Sequence, residues 1–318
     1  MNEVLKRLGE IGIVPVVRIE DASSAVALGR ALVAGDLPVA EITFRTAAAE
    51  ASIRNLAKEI PELLVGAGTV LTTDQVDKAM EAGARFIVSP GFNPRVVDHC
   101  LARGIPVTPG ISSPTDIEMG LERGLEVLKF FPAGPSGGLN FLKAIAAPYG
   151  AVQFIPTGGI AASDLRDYLS FNRVLAVGGS WIAKDTAIAS GRFDEITALA
   201  REAVMTSLGF ELAHVGVNEE SASKATASAQ ILQGLFFFPV KDGTSSLMVG
   251  GVELMKSPYL GARGHLAIAT LSVPRAVAFL ARKGIGVRPE TMKEKDGKPL
   301  AIYLDQEIGG FAVHLLQK

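Results

Sequence analysis

Eight short runs of β-branched and other apolar residues follow one another through the first part of the chain, separated by Ala- and Leu-rich segments with helical spacing. The runs are VPVVR (14–18), VAEITF (39–44), LVGAGTV (64–70), FIVSPG (86–91), PVTPG (106–110), VLKFFPA (127–133), QFIPTGG (153–159) and VLAVGGS (174–180). Strands that alternate with helices form a parallel sheet covered by helices. Eight such units predict an α/β fold closed into a (β/α)8 TIM barrel.

An open doubly wound sheet is the competing architecture, because it also alternates strands with helices. Such a sheet gathers its polar motifs at one switch point, whereas here nearly every predicted strand ends in polar residues or in glycine and proline. In a barrel all of these strand ends converge on one mouth. We therefore expect the polar motifs to surround a single site.

A change of pattern at Gly209 predicts two domains, residues 1–208 and residues 209–318. The second is expected to be a small α+β domain of two βαβββ repeats, which is an internal duplication. The first repeat comprises HVGVN, a helix over 220–234, FFFPV, SSLMVGG and VELMK, and the second comprises GHLAIAT, a helix over 272–283, GVRPETMK, LAIYLD and FAVHLL. The phenylalanine-rich segment 236–239 is expected to form a core strand.

Composition excludes several classes of function. The net charge of −2 gives no basic face for nucleic acid. Cys100 is the single cysteine, so no intrachain disulfide can form and a reducing compartment is expected. The N-terminal segment has no long apolar stretch of a signal peptide, and no apolar run is long enough to span a membrane. These features predict a cytoplasmic protein with a small-molecule ligand.

Lys129 stands inside the otherwise apolar run VLKFFPA. A buried lysine is costly unless it has a function. An amine attacks a ketone only when it is neutral, and burial among phenylalanines disfavours the ammonium form. The run therefore predicts a nucleophilic lysine, and a lysine that extends to solvent from the barrel rim is the alternative.

Glu41 and Arg45 lie in the run that ends the second predicted strand. Carbon–carbon cleavage through an imine requires a group that moves protons, and a positioned carboxylate can do this. Arg45 can bind a substrate carboxylate through two parallel hydrogen bonds. A structural Glu–Arg ion pair is the alternative for these two residues.

Two glycine pairs follow the last two predicted strands, in PTGGI and VGGSW. Glycine lets backbone amides approach an anion, and the N-terminus of a following helix adds the positive end of its dipole. The loops after strands seven and eight of such barrels are frequent phosphate sites. The glycine pairs therefore predict a phosphate site.

The motifs EITFRT, GAGTV, SPGF, TPG, LKFFPA, PTGGI and VGGSW occur in this order and spacing. Together they resemble the 2-keto-3-deoxy-6-phosphogluconate (KDPG) aldolase family, whose members often also cleave 4-hydroxy-2-oxoglutarate, and the resemblance covers residues 5–205. It implies reversible Schiff-base (class I) cleavage of a keto-acid sugar phosphate to pyruvate and glyceraldehyde 3-phosphate, with no metal or other cofactor, in a homotrimer. A non-catalytic barrel that binds sugar phosphates is the alternative.

The same resemblance implies roles for individual residues. Lys129 is the imine-forming lysine, and Glu41 is the acid/base that acts with a water. The substrate-binding positions are Arg45, Thr69, Pro109, Phe131 and Thr157, with Arg18 as a further basic residue. The phosphate-binding positions are Gly158, Gly159, Gly178, Gly179 and Ser180.

Residues 213–318 resemble the glyoxalase/dioxygenase (vicinal oxygen chelate) superfamily through HVGVN, VELM, GHLAIAT and FAVHLL. The resemblance implies metal ligands at His214, Glu253, His265 and His314, the last standing where glutamate is usual. Three of the four histidines in the chain fall at these positions. Imidazole and carboxylate suit a divalent Zn, Ni, Fe or Mn ion. The domain then either adds a metal-dependent glyoxalase-like activity or is a degenerate structural or regulatory module.

Overall fold

The computed structural model describes residues 1–318, which divide into two compact units, Met1–Ser207 and Leu208–Lys318. The strands of the first unit are β1 (Ile13–Val17), β2 (Val39–Thr43), β3 (Leu64–Gly68), β4 (Ile87–Val88), β5 (Val107–Thr108), β6 (Gly110–Ile111), β7 (Val127–Phe130), β8 (Gln153–Pro156) and β9 (Val177–Gly179). Its helices are α1 (Glu3–Ile11), α2 (Ala25–Ala34), α3 (Ala49–Glu59), α4 (Thr73–Glu81), α5 (Pro94–Ala102), α6 (Pro114–Leu121), α7 (Gly138–Ala146), α8 (Leu165–Ser170), α9 (Asp185–Ala189) and α10 (Phe193–Leu208).

The strands of the first unit pair in parallel in two sheets. One sheet has the order β5-β4-β3-β2-β1-β9, and the other has the order β6-β7-β8. Only Pro109 separates β5 from β6, and isolated parallel bridges join Phe154 to Val174 and Thr157 to Gly178. The predicted α/β architecture of strands alternating with helices is confirmed for this unit.

Side-chain chemistry explains why these segments form helices around a buried sheet. The helix α1 buries Leu5, Leu8 and Ile11, which recur at helical spacing and give it one apolar face. Ser113 begins α6 with a reciprocal capping box to Asp116. The strands β2, β3 and β7 are buried at every position, as expected for strands covered on both sides.

The second unit contains one eight-stranded sheet and two long helices. Its elements are β10 (Glu211–Asn218), α11 (Ala222–Phe236), β11 (Val240–Asp242), β12 (Ser246–Val249), β13 (Val252–Met255), β14 (Gly264–Thr270), α12 (Val273–Arg282), β15 (Lys293–Lys295), β16 (Lys298–Ile308) and β17 (Phe311–Gln317). The strand order is β11-β12-β13-β10-β14-β17-β16-β15. The first strands of the two repeats, β10 and β14, are antiparallel neighbours, and each pairs in parallel with the last strand of its own repeat.

The prediction of a core strand at 236–239 is wrong. Phe236 is the last residue of α11, and Phe237 caps the helix in the left-handed conformation with φ of 58°. The Phe237 N–H donates to Gln233 O at 2.9 Å, and the strand begins only at Val240. A short apolar run does not distinguish a helix end from a strand, and here all three phenylalanine side chains are exposed.

The predicted strand GVRPETMK is also wrong. Residues Pro289–Thr291 form a single turn of 3-10 helix, and only Val287 makes an isolated bridge, to Leu304. Pro289 has no N–H to donate to a ladder, so it starts the turn instead. The first strand after α12 is β15.

None of the helices is both long enough and apolar enough to cross a bilayer.

Candidate active site and candidate metal centre

Lys129 and Glu41 form an ion pair in the buried interior of the first unit. Lys129 lies on β7 with 5% of its surface exposed, and Glu41 lies on β2 with 3% exposed. The distance from Lys129 Nζ to Glu41 Oε1 is 3.4 Å. An isolated buried charge is strongly unfavourable, so each group stabilises the other where it is. The pair also allows the ammonium to pass a proton directly to the carboxylate.

Gly68, at the end of β3, fixes where the Glu41 carboxylate can lie. A Cβ atom at position 68 would lie 2.1 Å from Glu41 Oε1, closer than real Cβ contacts. Only glycine therefore leaves room for the carboxylate as observed. Sequence reasoning quoted the motif GAGTV without giving this glycine a role, although glycine within a strand often marks such a close approach.

Apart from Glu41, the surroundings of Lys129 are apolar with one exception, Thr108. Lys129 Nζ lies 5.2 Å from the centroid of the Phe131 ring. Thr108 lines the same small cavity as Lys129 and Glu41, and its buried hydroxyl has no hydrogen-bond partner within the protein. Nothing in the sequence pattern singled out Thr108. Pro109 follows Thr108 in the chain, and its carbonyl oxygen accepts a hydrogen bond from the backbone N–H of Lys129 at 2.9 Å.

Arg45 and Thr69 lie just beyond the ends of β2 and β3. Glu41 pairs with Lys129, so the alternative of a Glu41–Arg45 ion pair is not what the structure contains. The exposed Arg45 donates from Nε to Thr43 Oγ1 at 3.2 Å. Thr69 has φ of 56°, which is uncommon for a β-branched residue and typical of functional sites.

The two glycine segments, Thr157–Gly159 after β8 and Gly178–Ser180 at the end of β9, lie side by side, and Gly178 and Gly179 belong to the strand instead of following it as predicted. The bridge between Thr157 and Gly178 joins them, and a Cβ at Gly178 would lie 2.2 Å from Thr157 Oγ1. Gly158 and Gly159 have φ of 88° and 72°, values that favour glycine. Ser180 is exposed at the end of the second segment. The structure thus brings the predicted phosphate-binding residues together.

Arg18 follows β1 and reaches the second of these segments. Its Nη1 lies 3.3 Å from Asp185 Oδ2, at the start of α9, and its Nη2 pairs with Glu20. Two carboxylates therefore already compete for its guanidinium group. An anion that binds Arg18 must displace or share these partners.

Three of the four predicted metal ligands in the second unit meet at one point. Glu253 Oε2 lies 3.0 Å from His214 Nε2 and 3.0 Å from His265 Nε2, and the two imidazole nitrogens lie 3.2 Å apart. Donor atoms at right angles around an ion with bonds of about 2.1 Å are about 3 Å apart. Hydrogen bonds from His214 and His265 hold the pKa of the Glu253 carboxyl well below its usual range.

His314 completes the cluster. The ligating atoms of the three histidines all lie within 4.8 Å of one another. His314 Nδ1 lies 3.3 Å from Leu315 O, which favours a proton on Nδ1, and its buried Nε2 has no partner. Burial, and then the neighbouring imidazoles of His265 and His214, lower the pKa of His314 to about 4. An unpartnered neutral imidazole nitrogen beside two more and a carboxylate fits a divalent cation.

Gly216 is a residue of this cluster that sequence reasoning missed. A Cβ at this position on β10 would lie 2.0 Å from the His265 ring. The glycine lets the imidazole lie flat against the neighbouring strand. The motif HVGVN contains it, but a single glycine in a strand gave no specific signal.

Comparisons with known proteins concern the first unit. A family model described as KDPG and KHG aldolase matches residues 4–199. The chain is 48% identical over 202 residues to 2-dehydro-3-deoxy-phosphogluconate aldolase of Treponema pallidum, covering 64% of this chain and 96% of the relative. It is 46% identical over 192 residues to KHG/KDPG aldolase of Escherichia coli, covering 60% of this chain and 90% of the relative.

Two solved structures are similar over about the same share of this chain. KDPG aldolase from Legionella pneumophila, with pyruvate captured as a covalent carbinolamine, superposes with a TM-score of 0.61 at 36% identity, covering 63% of this chain and 97% of that one. The Zymomonas mobilis 2-keto-3-deoxy-6-phosphogluconate aldolase with 3-phosphoglycerate gives a TM-score of 0.58 at 42% identity, covering 64% and 94%.

Proposed function

The chain belongs to the KDPG and KHG aldolase family, and from that premise we propose that Lys129 is the amine with which it cleaves KDPG to pyruvate and glyceraldehyde 3-phosphate. The enzyme is a carbon–carbon lyase of the aldolase type. The observation that carries the assignment of Lys129 is its burial against Glu41, with 3.4 Å between Nζ and Oε1. This distance lets the carboxylate take the proton that must leave before the nitrogen can attack a ketone.

The proposed reaction follows from this pair. Neutral Lys129 attacks the C2 ketone of the substrate to form a carbinolamine, which loses water to form a protonated imine. Glu41, acting with a water, accepts the proton of the C4 hydroxyl as the C3–C4 bond breaks. The imine accepts the electron pair as an enamine, so the cleavage requires no metal. Protonation of the enamine and hydrolysis then release pyruvate.

The remaining predicted residues suit the two ends of the substrate. Arg45, just beyond the end of β2, would bind the carboxylate with its guanidinium group. The paired segments at Thr157–Gly159 and Gly178–Ser180 offer backbone amides to the phosphate. We propose that Thr69, Pro109 and Phe131 line the substrate pocket, and the 5.2 Å between Lys129 Nζ and the Phe131 ring centroid supports this for Phe131.

We infer that the two sheets of the first unit form one closed (β/α)8 barrel. The bridges from β8 to the segment around β9 connect one side, and the break at Pro109 between β5 and β6 is a single residue. Closure brings the ends of all strands to one mouth, as the reaction requires. We also propose that the barrel assembles as the homotrimer that the resemblance implies.

A comparison of substrates tests the phosphate-binding segments. We expect kcat/KM for KDPG to exceed that for the unphosphorylated 4-hydroxy-2-oxoglutarate by about tenfold or more, because charge-assisted hydrogen bonds to phosphate are lost with the smaller substrate. The galactonate epimer serves as the phosphorylated control. Steady-state pyruvate release measures all three, and equal kcat/KM values for the first two substrates contradict a phosphate site.

For the second unit we propose a divalent metal centre held by His214, Glu253, His265 and His314. The unpartnered Nε2 of His314 carries this proposal, because a buried imidazole nitrogen without a partner is costly unless a ligand completes it. A bound ion would supply Lewis acidity for a glyoxalase-like reaction on a carbonyl substrate. Ser246, which donates to Glu253 Oε1 at 2.6 Å, orients the carboxylate.

Replacement of His265 tests the metal centre. We expect the full-length wild-type chain, stripped with a chelator and dialysed against Ni(II), to retain about one ion per chain. His265→Ala is expected to weaken that binding by about tenfold or more, because one ligand and the partner of Glu253 are lost. His99→Ala is the matched control, since His99 is the fourth histidine and pairs with Asp77 in the first unit. Equal uptake by the wild type and His265→Ala contradicts the site.

A further inference from the structure

Thr108 has a buried hydroxyl group that takes no part in the reaction proposed above. The residue is 1% exposed, and its Oγ1 has no hydrogen-bond partner within the protein. A buried hydroxyl without a partner is unfavourable, and valine would fill nearly the same volume without that cost. The hydroxyl therefore points to a partner that is not part of the chain.

The cavity beside Thr108 fits one water molecule. Its volume is about 10 Å³, which is on the order of the space that a single water requires and far too small for a sugar acid. A buried water typically makes about three hydrogen bonds to polar groups, and Thr108, Glu41 and Lys129 are the polar residues that line the cavity. The other lining side chains are apolar, and they belong to Leu8, Val14, Phe86, Val88 and Ile155.

The cavity lies away from the residues predicted to bind the substrate. Leu8, which lines it, belongs to α1, and that helix precedes the N-terminal end of β1. Arg45 and Thr69, in contrast, follow the C-terminal ends of the parallel strands β2 and β3. A water in the cavity therefore contacts the Lys129–Glu41 pair from the side opposite the substrate, and the two do not compete for space.

Resting on the role of Lys129 proposed above, we propose that Thr108 is a positioning residue for imine formation and that it acts through one internal water. The water accepts hydrogen bonds from the Thr108 hydroxyl and from Lys129 Nζ, and it donates one to the Glu41 carboxylate. This arrangement gives the Thr108 hydroxyl the partner that the chain does not provide. Thr108 itself does not contact the substrate.

The water determines the direction in which the lysine attacks. A neutral amine has two N–H groups and one lone pair, and only the lone pair can attack the ketone. The contact from Lys129 Nζ to Glu41 Oε1, at 3.4 Å, is longer than a common hydrogen bond of about 2.7–3.2 Å, so it restrains the amine only loosely. A second N–H bound to the water, on the side away from the substrate, turns the lone pair toward the ketone, and such orientation of the reacting atom speeds its attack.

The test measures the rate of imine formation in the full-length chain, by rapid mixing with pyruvate followed by a borohydride quench at increasing times. We expect Thr108→Val to form the imine about tenfold more slowly, because the water loses one of its hydrogen bonds, and to reach half-saturation at a pyruvate concentration within about twofold of the wild type. Thr108→Ser keeps the hydroxyl and should stay within about threefold of the wild-type rate. Ser52→Ala is the matched control, since Ser52 Oγ is also buried without a partner but lies on α3, and it should leave the rate within about twofold.

A hydroxyl that serves only the fold gives a different result. Thr108→Val then removes an unpaired polar group, so it leaves thermal stability unchanged or raised and the rate of imine formation unaltered. That outcome, or a Thr108→Ser variant as slow as Thr108→Val, overturns the role of Thr108 and leaves Lys129 as the amine, whereas a wild type without an adduct on Lys129 contradicts the proposed function itself. A high-resolution crystal structure of the wild type is expected to show a water within about 3.2 Å of Thr108 Oγ1, and a dry cavity also overturns the inference.

Discussion

Lys129→Ala is expected to lower kcat for pyruvate release from KDPG by about 10⁴-fold or more, because no other group can form the imine that makes C3–C4 cleavage feasible. Coupled pyruvate detection measures the loss. Lys143→Ala is the matched control, since Lys143 is an exposed lysine on α7, and it should leave kcat within about twofold of the wild type.

The same variant leaves Glu41 without its partner inside the unit. A buried carboxylate without a counter-charge is unfavourable, so some loss of stability is expected alongside the loss of activity. Lys129→Met fills more of the vacated volume and should fold better while remaining inactive. Circular dichroism and thermal unfolding separate the two effects. A folded Lys129→Met protein that retains a tenth or more of wild-type kcat contradicts the role of Lys129.

The second large effect concerns the position of the Glu41 carboxylate. Glu41→Gln removes the proton-transfer group, and Gly68→Ala keeps the group but forces it to move, because the new Cβ would lie 2.1 Å from Glu41 Oε1. Loss of a positioned general acid or base lowers rates by about 10²–10⁴-fold. We expect both variants to lose kcat on this scale and to form the imine with pyruvate more slowly, because the carboxylate also takes the proton of the Lys129 ammonium.

A similar loss of kcat in Glu41→Gln and in Gly68→Ala is the informative result. Gly150→Ala is the control, because a Cβ at that position meets no other atom within 4 Å. Steady-state kinetics measure kcat, and borohydride reduction in the presence of pyruvate measures imine formation. Full activity of Gly68→Ala would mean that the carboxylate does not need its observed position, and labelling of Glu41→Gln at the wild-type rate would mean that the carboxylate does not deprotonate Lys129.

The alternation of strands and helices was predictable from the sequence because each segment carries its own periodicity. The position of Lys129 inside an apolar run and the glycine pairs, one after β8 and one at the end of β9, were visible for the same local reason. The contact between Gly68 and Glu41 was not, because it depends on the register of β2 against β3, which no residue spacing encodes. The unpartnered hydroxyl of Thr108 likewise becomes evident only when neighbouring strands are in place.

The second unit illustrates the same limit more sharply. The superfamily resemblance implied His214, His265 and His314 as ligands, but only the pairing of β10, β14 and β17 shows that their nitrogens meet. The apolar residues at 236–239 led to the wrong prediction of a strand. Helix α11 continues to Phe236 there, and Phe237 caps it in the left-handed conformation. Pro239, two residues after the cap, was a signal for a helix end in this segment, because proline often follows a C-cap, and the strand prediction did not weigh it.

Reduction with borohydride in the presence of pyruvate, followed by mass spectrometry of the digested wild-type chain, tests the central claim most directly. The account predicts one adduct with the mass of reduced pyruvate on the peptide that contains Lys129, and none on that peptide without pyruvate. An unmodified Lys129, or an adduct found on a different lysine, would contradict it.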